Sequence, residues 1–200
     1  MPLIEQSLAS QIGNMIPTMM KTVSPMAEPM PFQKTLGNAV AAGIQKIMTS
    51  KAQATGIPLG PMVGPGSSIL GFVPPAAAAL AVAYYSSKVG SVGVALMPMM
   101  LGVFIPVSLY LLSATVMSIS GMGGTFTPAS ISGWGKDDLA KEIINAFPTE
   151  EKKQLEESDT GKILIEAIAS GFTMHLQLTG IPGPIPAAGI PAGPLIAKFS

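Results

Sequence analysis

His175 is the sole histidine of the chain and cysteine is absent. A Ser-His-Asp arrangement could therefore use only His175, and a His/Cys zinc set cannot be built at all. A lone histidine near a helix end reads as a structural or solvated residue. No Gly-x-Ser-x-Gly elbow accompanies it. Gly121-Met122-Gly123-Gly124-Thr125 is glycine-rich but lacks the Gly-Lys-Ser/Thr that cradles nucleotide phosphate. Soft thioethers can select Cu(I), yet the fourteen methionines show no regular Met-x-x-Met series. They suit adaptable contacts between subunits, or ordinary core filling. The acids Glu150, Glu151, Glu156 and Glu157 are interleaved with Lys152 and Lys153 and read as a solvated face. These residues predict a protein that is not an enzyme and carries no cofactor or metal.

Charge placement is more informative than any of these groups. Residues 52–135 carry one charge, Lys88, and the whole chain is 11% charged, under half of the roughly 25% usual in soluble domains. A stretch that sheds charge over such a length is avoiding water, in its own core, in lipid or against other protein. All eleven basic residues are lysine; arginine, whose planar fork suits phosphate and base edges, is missing, so no nucleic-acid partner is expected. Net charge is zero, and no electrostatic partner is implied. The N-terminus, Met1-Pro2-Leu3-Ile4-Glu5, has no basic leader segment, so a cleaved secretory signal is not expected.

Composition divides the chain into residues 1–53, 54–135 and 136–200. The first part spaces Ile4, Leu8, Ile12 and Ile16, then Phe32, Leu36, Val40, Ile44 and Ile47, as two apolar helical stripes around an extended, proline-rich strap at residues 22–31. In the middle part, Thr55–Gly66 has too much Pro and Gly for a helix or a central strand and should run extended. Pro74-Pro75 open an Ala-rich helix over Ala76–Ser87. A longer apolar helical run is expected from Val92 to Ile119, then a Gly/Ser/Thr-rich loop over Gly121–Ser132. The third part holds nine of the eleven acids and predicts amphipathic helices: one starting at Asp137-Asp138 and stopped by Pro148, one capped by Thr149, and one capped by Ser158 or Asp159 that reaches about Leu178. The fold class expected is mainly α, with short helices joined by Gly/Pro-rich extended arms and a long apolar central helical region.

An internal repeat links the two arms. Residues 44–58 align without gaps on residues 168–182, sharing Ile44/Ile168, Thr49/Thr173, Gln53/Gln177 and the whole Thr-Gly-Ile-Pro. The repeat predicts a helix that exits through a left-handed glycine, Gly56 or Gly180, into an extended arm. The arms then need a partner surface, and Gly56, Pro58, Gly64, Pro65, Gly180, Pro182 and Pro184 are its candidate interaction residues. Trp134, beside the first charge after the apolar run, is a further candidate, either at a membrane interface or in a partner's pocket; packing within the domain is the alternative.

Ala39-Val40-Ala41-Ala42-Gly43-Ile44 and the Thr-Gly-x-Pro and Gly-Pro-Gly tails resemble segments of minor structural proteins of tailed bacteriophages, over Ala39–Ser67 and Ile163–Pro194. The resemblance implies a non-enzymatic virion component, in the tail, baseplate or neck, whose partners are its own copies and other structural proteins. The other reading is a small integral membrane protein of the host inner membrane, holin-like or pore-forming, with residues 69–87 and 92–119 as a transmembrane hairpin and Lys88 at its turn. The particle reading is preferred because Gly/Pro arms at both repeat units require a partner surface.

Overall fold

The computed structural model describes residues 5–23, 31–50, 53–59, 62–64, 66–67, 69–90, 96–121, 125–178, 185–186 and 195–198. Seven helices carry it: α1 (Glu5–Val23), α2 (Pro31–Ser50), α3 (Pro74–Val89), α4 (Leu96–Ser113), α5 (Lys136–Asn145), α6 (Thr149–Glu157) and α7 (Asp159–Leu178). The mainly helical class expected of the sequence is what the fold shows. Leu8, Ile12 and Ile16 on α1, and Leu36, Val40, Ile44 and Ile47 on α2, are all buried. Their three- and four-residue spacing puts them on one side of each helix, and burying that side is what keeps the helices in place. α1 packs against α7 and α2, α2 against α3, and α3 against α4. One buried cluster runs through all of them, from Leu8 to Leu176.

A close helix contact explains the Ala/Gly-rich stretches. Gly43 of α2 faces α3 so closely that a Cβ there would lie 2.6 Å from the carbonyl oxygen of Ala77, 2.9 Å from Phe104 and 3.3 Å from Ala81. Ala77, Ala78 and Ala81 are wholly buried in this seam. Small side chains let two backbones approach, so Ala39–Ile44 and Ala76–Ala81 are two halves of one contact. Gly171 does the same for α7, where a Cβ would meet Ile12 of α1 at 2.6 Å. Gly43→Ala should therefore lower stability by about 1–2 kcal/mol, because overpacking against backbone outweighs the gain in helix propensity. Gly13→Ala, where a Cβ would meet nothing within 4 Å, should instead stabilise by up to about 1 kcal/mol. Thermal unfolding of the two variants gives both signs.

Helix ends follow mostly from the sequence. Pro74 and Pro75 occupy the first turn of α3, where their missing donors cost nothing. Ser158 caps α7 by accepting a hydrogen bond from the Gly161 amide at 3.1 Å. Thr149 does not cap α6: Pro148 occupies that position and no side chain caps the helix. The α6 charges stay in solvent, with Lys152–Glu156 and Lys153–Glu157 pairs at 3.9 Å that contribute little.

The extended parts differ from expectation in three places. β1 (Gln53–Leu59) forms antiparallel pairs with β2 (Met62–Gly64), β4 (Ile69–Leu70) and β8 (Leu195–Lys198). Gln53 and Ala54 have partners on both β4 and β8, so this segment does supply a central strand. Pro58 is compatible with it because Ile57–Leu59 pairs with β2 alone among the described residues. The central helix stops at Ser113, short of Ile119. Thr115-Val116-Met117-Ser118-Ile119 belongs to β5 (Thr115–Gly121), whose β-branched residues favour a strand. The segment expected as a loop is β6 (Thr125–Ser132), paired with β5; the register shifts beside Pro128, where a bulge accommodates the proline. β3 (Gly66–Ser67) and β7 (Ile185–Pro186) complete that second sheet in the order β3-β5-β6-β7.

The repeat is not a structural one. α2 ends at Ser50 and Gln53 is already in β1, whereas its counterpart Gln177 is still in α7. Gly56 lies within β1 rather than stopping a helix; of the strap expected at residues 22–31, Thr22 and Val23 belong to α1 and Pro31 opens α2, and residues 24–30, like Gly180, lie outside the described residues. The shared Ile44 and Ile168 are both core positions, which helix periodicity alone accounts for.

Candidate interaction surface

Among the described residues, α4 carries exposed apolar side chains along one side. On α4, Ile105, Leu109 and Leu112 recur at four- and three-residue steps and are each 46% exposed. The opposite side of the same helix, with Met100, Val103, Phe104, Val107, Tyr110 and Leu111, is buried in the protein's own core. α4 is thus apolar all round, but only half of it is covered. Leu80 of α3, and Val73 and Val89 at its two ends, are also exposed. Lys88 is the one charge on either helix, with its ammonium 5.8 Å from the Tyr84 ring centroid. Apolar side chains left exposed along one side of a helix mark α4 as a candidate contact surface.

A second feature is a groove of about 630 Å³ between α1, α7 and the turn that enters α5. Its lining includes Gln11, Asn14 and Thr18 of α1, Ser170, Thr173 and Met174 of α7, and Trp134 with Lys136. Trp134 is half-buried. Its ring meets Tyr110 edge to face, with centroids 6.2 Å apart, and Tyr110 meets Phe172 in the same way at 5.5 Å. Gly133 permits this, since a Cβ there would lie 2.6 Å from the Tyr110 ring. The tryptophan is accordingly fixed by domain packing while also lining a groove. Gln11 Oε1 is buried and has no hydrogen-bond donor. Thr173 spends its hydroxyl on the Ala169 carbonyl at 2.9 Å.

His175, next along α7, is fully buried. Desolvation holds its imidazole down at about pKa 4, so it is neutral at physiological pH and structural rather than solvated. Burial likewise raises the Tyr110 phenol. Among the described residues no three His, Asp or Glu side chains gather where a metal could sit.

Of the interaction residues expected from sequence, Gly56 and Pro58 lie in β1 and Gly64 in β2, where their backbones pair within the chain. Pro65, Gly180, Pro182 and Pro184 lie outside the described residues. Sequence reasoning missed the α4 stripe because an all-apolar helix has no amphipathic signal to separate its covered side from its bare one. Comparison with protein-family models, curated proteins and solved structures found no match to this chain.

Proposed function

We propose that the protein is a non-enzymatic structural subunit of a large symmetric assembly, a tailed-phage virion, held there by contacts with its own copies and with other structural proteins. The observation that carries this reading is the exposed apolar stripe of α4, Ile105, Leu109 and Leu112. Hydrophobic burial is the term that stabilises obligate interfaces, and such interfaces resemble a core cut open. Net charge of zero removes general repulsion between copies. The pairing of β1 with β8 gives the subunit an ordered sheet, while Ile105, Leu109 and Leu112 of α4 remain exposed.

One observation favours the membrane reading: α4, at 18 residues, is long and apolar enough to cross a bilayer, and it alone is so among the described helices. Against it, 44% of that helix is buried inside the protein. α3 is 16 residues long, about 24 Å at 1.5 Å per residue and short of the roughly 30 Å hydrocarbon core. A carbonate wash of cells producing the protein alone separates the two readings. The subunit reading expects it in the soluble or assembled fraction; retention in the washed membrane would sink that reading.

A further inference from the structure

The zero net charge of the chain hides a division of sign. Helices α1–α4 hold four lysines, Lys21, Lys34, Lys46 and Lys88, against one acid, Glu5, a formal +3. Helices α5–α7 hold nine acids against five lysines, a formal −4. Surfaces of opposite sign on one molecule attract those of another copy.

The positive set contains a place for a carboxylate. A cleft of about 430 Å³ lies between α1, α2 and α3, lined by Ser10, Asn14, Lys34, Asn38 and Tyr84 and by no acid. Ser10, Asn14 and Lys34 are exposed on the folded chain, so solvent reaches the cleft. A second ammonium, that of Lys88, sits 5.8 Å from the centroid of the Tyr84 ring. Hydroxyl, amide and ammonium groups together offer donors to an anion. Among the described residues the ion pairs are Lys136–Asp137, Lys152–Glu156 and Lys153–Glu157, and Lys34 is in none of them.

The matching acids stand on α6. Glu150 and Glu151 occupy its first turn, are exposed and lie outside those ion pairs. Glu156 and Glu157, by contrast, are balanced by Lys152 and Lys153. α6 buries none of its residues and packs against α5 and α7, which leaves its acidic first turn presented to solvent.

We propose that the Lys34 cleft receives the acidic first turn of α6, Glu150 and Glu151, from a second copy of this chain. The proposal rests on the assembly reading and adds to the α4 contact a salt-sensitive one between unlike surfaces. Through it each copy can hold one neighbour with its cleft and another with its α6, the head-to-tail pattern from which rings and filaments are built.

Sedimentation at about 0.01 M salt, where charges act over roughly 30 Å, tests it with Leu109→Lys present in every chain to remove the α4 contact. This parent should associate with increasing concentration and come apart at about 0.15 M salt, where that reach falls to about 8 Å. A chain with Lys34→Glu and Lys88→Glu, and a chain with Glu150→Lys and Glu151→Lys, should each associate with itself at least about tenfold more weakly, since like charges then meet. An equimolar mixture of the two should recover the association, because the reversed cleft fits the reversed helix. Recovery on mixing also excludes misfolding as the cause of the losses. A parent that stays monomeric, an association indifferent to salt, or a mixture no better than its components each overturns the proposal. None of these outcomes bears on the α4 contact, which is read from wild type against Leu109→Lys at the higher salt.

Discussion

Lysine at Val107 should unfold the protein, whereas lysine at Leu109, two residues along the same helix, should change its stability by about 1 kcal/mol or less. Val107 is fully buried, and an unpaired ammonium there costs several kcal/mol against a total stability of roughly 5–15 kcal/mol. Leu109 is 46% exposed, so a lysine can lay its methylenes along the helix and keep its charge in water. Met100, also buried, belongs with Val107. Lysine at either site damages folding whatever surrounds the protein, so Ile105, Leu109 and Leu112 are the positions that speak to partners. Urea unfolding of Val107→Lys and Leu109→Lys tests the contrast, and similar losses at both sites would mean that α4 has no bare side.

His175 should make stability fall as pH drops from about 6.5 to about 4. Its pKa is near 4 in the folded protein and about 6.5 in an unfolded chain. Between those values the unfolded state binds the extra proton, so its stabilising neutrality is fully present above about pH 6.5 and lost towards pH 4. The separation corresponds to about 3 kcal/mol. His175→Gln, which cannot titrate, should flatten that part of the pH profile relative to wild type. Unfolding free energies near pH 7 and pH 4 that change equally in both proteins would show that the imidazole is not the titrating group.

The helices were legible because their signals are local. Leu8, Ile12 and Ile16, the Pro74-Pro75 entry, and Asp137-Asp138 before Leu139 and Ile143 each act within two turns of chain. The strands were hidden by the lack of charge that made the middle region notable. Val92–Ile119 reads as one apolar run, and only the switch to alternating Thr115-Val116-Met117-Ser118-Ile119 marks where the helix ends. The prolines of Thr55–Gly66 argue against a central strand, yet β1 becomes central only through β8, some 140 residues later, on the side away from β4, and such non-local pairing leaves no trace in the local pattern. The seam of Gly43 with Ala77 was visible as composition and not as contact: Ala and Gly are enriched in both segments, but which helices meet is set by the whole core. Gln11 and Trp134 lie more than 120 residues apart, so the groove they line could not be read from either neighbourhood.

The central claim is that protein covers the exposed apolar side of α4, Ile105, Leu109 and Leu112. Its most direct test is sedimentation of the purified wild-type chain beside Leu109→Lys over a range of concentrations. Wild type should associate with increasing concentration, and Leu109→Lys, equally folded by its unfolding curve, should lose most of that association. Equal association of the two proteins, or a wild-type chain that stays monomeric throughout and is recovered only with lipid, would contradict it.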